Sequence, residues 1–541
     1  MRTVHLRRWQ KSALDQFRAR ERPDFLAVAT PGAGKTTLAL VAARQALAEA
    51  PGRRLVVVVP TQHLKTQWAD AAEALDLHLE TGWSARDGRL PADTHGLVTT
   101  YQQVATSAGA FASLSRDAFV VLDEVHHAGG DRAWGDAVLT AFTDARVRLC
   151  LSGTPFRSDT RAIPFVRYDD SGLAQPDVEY GYGDALADRS VVRPVRFPRI
   201  AGEMEWIDAD GSHAGASFDD ALDAARTARR LRTALSTDGE WLPDVLARAH
   251  RQLMEVRRTH PGAAGLVIAI DQDHARAVAE LLRRHTGTAP ALVVSEDSAS
   301  SRRIATFTHG TEPWLVAVRM VSEGVDIPRL RVGVFATTTT TELFFRQAVG
   351  RLVRWTRGLG AQPSYMFIPD DPRLRAHALA ITIQRRHSLR RDDEAEETAD
   401  DGVFDEPVER GGGDQQMSLF SAVSAVAVGA PSIHRVEDGL PVMAEWREDV
   451  GVLVDLVPLP LLSQAPDGAT TAQPGGLRKY RHSLRDANAT LTRRIARITG
   501  LSHAQVNGDL NRRIGLERIS EATITQLERR RDHATTWLRT A

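Results

Sequence analysis

Two neighbouring carboxylates, Asp123 and Glu124, follow the apolar run Val120-Val121-Leu122 and precede Val125-His126. A buried parallel strand that ends in acids delivers them to the ligand edge of its sheet. There, one acid can hold a divalent cation through its water shell while the other polarises an attacking water. Upstream, Ala29-Thr30-Pro31-Gly32-Ala33-Gly34-Lys35-Thr36-Thr37 lies between the apolar run Phe25 to Ala29 and an Ala/Leu-rich helix. Glycines at 32 and 34 let backbone N–H groups converge on phosphates, Lys35 supplies a point charge for the β/γ oxygens, and the Thr36 hydroxyl suits Mg²⁺. The strict phosphate-loop pattern has glycine where this chain has Ala29. Loop and acids together point to ATP and Mg²⁺ as the cofactors.

The elements that must position these residues are legible as a strand-and-helix alternation. Leu55 to Val59 is a β-branched run closed by Pro60-Thr61, with Gln67-Trp68 on the helix that follows. Loops after parallel strands sit on the ligand face, so Thr61 and Gln67 suit a sugar-phosphate backbone. Thr61 equally suits a helix N-cap. Leu97 to Gln102 repeats the pattern and offers Thr100, and Leu149 to Arg157 offers Ser152 and Thr154 as hydrogen-bonding links to a second surface. Gln10, in Leu6 to Gln10 at the start of a helix, has the donor and acceptor an adenine edge needs, as does any solvated glutamine. His126 and His127 have no further Cys or His at ligand spacing nearby, which excludes a zinc-type site.

A second alternation runs through Leu266–Ile270, Ala291–Val294, Leu315–Val318, Val332–Thr337 and Tyr365–Ile368. It predicts a second parallel sheet. Helices are expected over Phe218 to Leu235 and Trp241 to Arg258, and a strand over Val191 to Phe197. Arg351 and Arg354, in Gln347 to Arg354, share one helix face at i and i+3 and can reach one anion, although such a helix can also be a solvated face.

With 541 residues, the chain exceeds one core and predicts several domains. Hydrophobic residues at 43% and charged residues at 25% exclude disorder of the whole chain, and a net charge of -1 implicates no partner by itself. Lys11, Lys35, Lys65 and Lys479 are the only lysines, which makes Lys35 more conspicuous. Cys150 stands alone, excluding intramolecular disulfides and Cys-rich zinc modules. No apolar stretch reaches the roughly 18 residues of a membrane span, so a cytoplasmic protein without a membrane partner is expected.

The phosphate loop, Pro60-Thr61 with Gln67-Trp68, Thr100-Tyr101-Gln102, Asp123-Glu124-Val125-His126 and Ser152-Gly153-Thr154-Pro155 occur in the order of superfamily 2 helicases of the DEAH-like type. Over roughly Leu6 to Pro369 the chain resembles the motors of type I and type III restriction enzymes and related DNA-repair helicases. The resemblance implies an α/β fold of two tandem RecA-like lobes, with ATP between them and a nucleic-acid-stimulated ATPase activity. It implies further that Arg351 and Arg354 of the second lobe act on the phosphates that Lys35 holds. Gln347 would pair with His126, and Gly324 and Asp326 would lie at the nucleotide sugar or the strand. DNA is the expected substrate and RNA the alternative; an ATP-switched adaptor without sustained turnover is a reading from another class. No nuclease constellation is present, so a restriction role would need a nuclease or methyltransferase partner subunit.

The expected domains are 1–190 (first lobe), 191–390 (second lobe), 391–435 (linker) and 436–541 (accessory region, basic and helical from about 477). Asp392 to Arg410 holds ten acids against one arginine, and Gly411-Gly412-Gly413 follows. Gln416, Leu419 and Phe420, in Gln416-Met417-Ser418-Leu419-Phe420, resemble a bacterial sliding-clamp-binding motif, a pattern short enough to recur by chance. Leu477 to Ala541 carries fourteen Lys/Arg against six Asp/Glu, with Leu491, Ile495 and Ile498 expected on one helix face. That charge suits phosphate contacts or a solvated helix surface.

Overall fold

The computed structural model describes residues 3–129, 132–153, 162–170, 172–188, 191–208, 211–294, 298–318, 327–356, 358–360, 362–390, 421–432, 451–459 and 476–540. By their contacts the residues fall into two units. The first comprises Met1–Ala29, Gly34–Tyr180 and Val450–Ala541, and the second comprises Thr30–Ala33 and Gly181–Asp449.

The first unit is built on a seven-stranded sheet. Its order is Leu79–Glu80, Gly96–Thr100, Leu55–Val59, Phe119–Leu122, Val147–Ser152, Asp24–Ala29 and Val178–Tyr180. Every neighbouring pair is parallel. Leu55–Val59 and Phe119–Leu122 are buried at every position, which is why they read as unbroken apolar runs: both faces of a parallel sheet are covered by its crossover helices. The loops that follow these strands therefore gather at one edge, and they carry the loop lysine, Thr61, Thr100 and the two acids.

The second unit has a parallel core of Ala291–Val293, Trp314–Ala317, Ala264–Ala269, Leu330–Ala336 and Ser364–Pro369. The five expected strands are present, and helices Ala224–Ala234 and Trp241–Thr259 flank them in sequence. Arg199–Ile207 joins Ser364–Pro369 in parallel and then pairs antiparallel with both His213–Ser217 and Ser421–Ser432. Gly202 permits this packing, because a Cβ there would stand 2.6 Å from the Trp241 ring and 2.9 Å from the Val426 carbonyl oxygen.

Two expected boundaries change. Residues 421–432, placed in the linker by the Gly-rich composition just before them, form a strand of the second sheet. Their small and β-branched residues fit a pleated surface. The C-terminal region is not separate either: by its contacts it belongs to the first unit. Val452–Asp455 pairs antiparallel with Thr3–Leu6, and helices Gly476–Thr499, His503–Arg513 and Ile524–Thr540 follow. Ile495 is buried there, but Ile498 is 54% exposed, so the expected apolar face ends one turn early. Among the described residues, no helix is long and apolar enough to cross a membrane.

Candidate functional site

The phosphate loop enters helix Lys35–Glu49, with Gly34 at its N-cap. Gly32 and Gly34 adopt φ of 86° and 93°, a left-handed conformation that glycine reaches without a Cβ penalty. Gln10 packs on the loop, its Nε2 donating to the Gly34 carbonyl at 2.8 Å while its Oε1 accepts from the Arg7 N–H at 2.7 Å. Both ends of this buried amide are thus engaged by backbone. Thr36 and Thr37 lie half-buried in the first turn of the helix, where unsatisfied N–H groups and the helix dipole favour an anion.

Lys35 donates from Nζ to the Ala29 carbonyl at 2.8 Å and stands 3.7 Å from Glu124 Oε1. Glu124 takes φ of 47°, a conformation rare outside glycine and typical of strained functional positions. The Gly153 N–H donates to its Oε2 at 3.1 Å, and His126 Nδ1 lies 3.6 Å from the same oxygen. His126 Nδ1 also lies 3.2 Å from Ser152 Oγ, so these two buried residues meet at the acid.

Asp123 is held differently. The Trp68 indole N–H donates to Oδ2 at 2.7 Å, and the Tyr101 hydroxyl donates to the Asp123 carbonyl at 2.9 Å. Neither aromatic stood out in the sequence as a site residue. Their signal was indirect: a buried Trp or Tyr needs an acceptor for its polar atom, and both directly adjoin motif residues.

Electrostatics separates the acids. Burial, and then the neighbouring Glu124 charge, pushes Asp123 up to about 6 against the opposing pull of Lys35 and the Trp68 bond. For Glu124 burial also acts upward, but Lys35 and His126 outweigh it and hold the carboxyl down at about 2. The site therefore contains one firmly ionised acid and one whose charge wants a further cation.

Thr61 caps helix Gln62–Glu73 by accepting from the Leu64 N–H at 3.4 Å, and Thr100 caps Tyr101–Thr106 in a capping box with Gln103. Gln67 Nε2 lies 3.0 Å from His63 Nε2. Cys150 is fully buried, with its thiol raised by burial.

In the second unit, Gln347 and Arg351 lie on helix Glu342–Leu352, and Arg354 follows it. This unit includes Thr30–Ala33. Within it, a Cβ on Gly32 would fall 2.6 Å from Arg354 Nη1, and one on Gly350 would fall 2.7 Å from Pro31 Cγ. The arginine segment and phosphate-loop residues 31–32 are thus in van der Waals contact, with Ala33 buried beside them. Thr154, Gly324, Asp326, Gln416, Leu419 and Phe420 lie outside the described residues.

A glycine loop, a lysine and a two-acid strand end on a parallel sheet, followed by a second parallel sheet with an arginine helix, make up an α/β fold of two RecA-like lobes. The family model for the type III restriction enzyme res subunit matches residues 3–157. Two uncharacterised mycobacterial proteins are similar over longer spans. One, from Mycobacterium tuberculosis, is 39% identical over 97% of this chain and 92% of its own length; the other, from Mycobacterium leprae, is 46% identical over 71% and 65%. Two solved structures share the fold at a TM-score of 0.50. One is a fragment assigned as an HsdR subunit of a type I restriction enzyme from Vibrio vulnificus, 18% identical and covering 70% of this chain and 66% of that one. The other is the ATP-dependent type ISP restriction-modification enzyme LlaBIII bound to DNA, 16% identical and covering 71% of this chain and 30% of that one. The chain belongs to one family with the mycobacterial proteins, and it is similar to restriction-enzyme motor subunits of helicase superfamily 2.

Proposed function

We propose that this protein is a nucleic-acid-stimulated ATPase that translocates on or unwinds DNA. The observation that carries this reading is the junction of Lys35, Glu124 and Gly153: the loop lysine stands 3.7 Å from an acid that the next strand end holds by a backbone N–H at 3.1 Å. In phosphoryl transfer, positioning and charge matter more than proton abstraction, so an ionised Glu124 suits orienting a water. Lys35, Gly32, Gly34 and the first turn of the following helix hold the ATP phosphates, with Gln10 beside the loop.

The acid pair, Asp123 buried and Glu124 half-buried, faces one lysine, and this charge excess fits Mg²⁺, with Thr36 as one ligand and Asp123 acting through the ion's water shell. Bound with ATP, the ion would neutralise phosphate charge. Arg351 and Arg354 act on the same phosphates, a role supported by the contact of Arg354 with Gly32. Thr61 and Gln67, at the ligand edge of the first sheet, meet the strand, and Thr100, buried at 2% exposure, sets the helix that begins beside them. DNA is favoured over RNA because the restriction-enzyme structure sharing the fold is bound to DNA.

ATP turnover measured with single-stranded DNA, duplex DNA and RNA tests the proposal. DNA should stimulate most, and Lys35→Ala and Glu124→Gln should each lower stimulated turnover by about a hundredfold or more, the scale of losing one preorganised charge-stabilising group. Full stimulated turnover in either variant would sink the reading.

A further inference from the structure

Trp68 is 2% exposed on helix Gln62–Glu73, the helix that Thr61 caps. Its indole carries one donor and no acceptor, and that donor is spent at 2.7 Å on Oδ2 of Asp123, itself only 7% exposed. A second aromatic, Tyr101 on the helix that Thr100 caps, fixes the Asp123 carbonyl at 2.9 Å. Each of the two strand-facing loops thus begins a helix that reaches back to the same acid.

We propose that Trp68 is a positioning residue for the metal site: its N–H fixes the rotation of the Asp123 carboxylate and so presents the other oxygen to the cation's water shell. The proposal rests on the ATP-site reading above. The geometry favours orientation over simple packing. A buried indole needs some acceptor, and here the acceptor is the side-chain oxygen of the acid itself, 55 positions away in the chain, so the bond that satisfies Trp68 also fixes the carboxylate. A hydrogen bond to an ionised acceptor is short and directional, and partners that orient a metal-holding carboxylate typically control metal affinity or activity by about 10- to 100-fold. Because the donor sits on the Thr61 helix, displacement of that helix by a bound strand reaches Asp123 directly.

Mn²⁺ binding to the full-length chain with saturating ATP, followed by electron paramagnetic resonance, reads this role without requiring turnover. Trp68→Phe keeps the apolar ring and removes the N–H; it should weaken Mn²⁺ binding by about 10- to 100-fold. Trp68→His keeps a ring N–H in a smaller side chain and should recover part of that loss. Wild-type Mn²⁺ affinity in Trp68→Phe would overturn the proposal. So would equal losses in Trp68→Phe and Trp68→His, because packing alone would then explain both. If the ATP-site reading itself is wrong, the wild-type chain shows no ATP-dependent Mn²⁺ binding, a result distinct from a defect confined to the variants.

Discussion

The acid-and-loop site and the C-terminal helices both belong to the first unit, and they treat charge in opposite ways. At the site, two carboxylates adjoin in sequence, share one lysine, and one of them sits at a positive φ. Across the helices, opposite charges are brought together, and one of the pairs is buried. Arg481 pairs with Asp93 at 2.9 Å with both side chains under 10% exposed, Arg485 pairs with Glu80 at 3.1 Å, and Arg478 pairs with Asp70 at 2.6 Å. Backbone groups complete the seam: the Ile524 N–H donates to Asp93 at 2.9 Å, and the Leu477 N–H donates to Glu73 at 3.0 Å. The site keeps unfavourable electrostatics for a ligand to relieve, while the seam sets each of its acids against an arginine of opposite charge.

The largest expected effect breaks the seam. Arg481→Ala leaves Asp93 buried with its charge uncompensated, and losing one partner of a buried pair costs about 3–5 kcal/mol. Hydrogen exchange over residues 476–540 should report this loss, whereas turnover at low temperature should stay within about twofold of wild type. If protection is unchanged, the pair contributes nothing and the C-terminal helices are held by other contacts.

The mirror-image change relieves the site. Asp123 titrates near 6 when folded, above its ordinary value of 3.8. Between those values the folded chain binds the extra proton, so its stability falls as pH rises through this window. Above this window the ionised acid, buried beside Glu124, costs the ligand-free protein stability. Asp123→Asn should stabilise the ligand-free chain at pH 7.5, lose the advantage as pH falls toward 4, and have little or no ATP turnover. Thermal melts across pH give the check; an Asn variant less stable than wild type at pH 7.5 would show that the acid is not under electrostatic strain.

The same contrast explains what the sequence discloses. Lys35, Asp123 and Glu124 are readable because strand, loop and acids are local and their spacing is itself the geometry. The five parallel strands of the second unit are readable because each is an apolar run, most of them buried on both faces and the edge strand Ala291–Val293 only half-buried. Trp68 on Asp123, and Arg481 on Asp93, join residues 55 and 388 positions apart, and no local pattern encodes such a pairing. Composition also misled: the Gly-rich stretch at 411–413 hid the strand Ser421–Ser432, and the surplus of arginines at the C-terminus, open to phosphate contacts or a solvated helix surface, gave no sign of a seam of ion pairs. Arg478, Arg481 and Arg485 instead bind acids of the first sheet's periphery, and Arg530, fully buried, donates to Asn511, Asn488 and Asn507.

What remains of that basic surplus is exposed, and it sets the smallest effect. Arg494 and Arg497 lie one turn apart on the solvent side of helix Gly476–Thr499. Replacing both by alanine should change stability by no more than about 0.5 kcal/mol, as for surface sites away from buried networks. Turnover at saturating DNA should not change, since neither residue is near the loop or the acids in sequence or belongs to the docking seam. If these arginines meet phosphates, each substitution takes about one counterion out of the binding equilibrium, and the slope of log K against log salt should shallow by up to about 2. If the slope is unmoved, the pair is solvated surface. The functional share of the C-terminal charge then has to be sought among the other exposed basic residues, such as Arg493, Arg512, Arg513, Arg529 and Arg539.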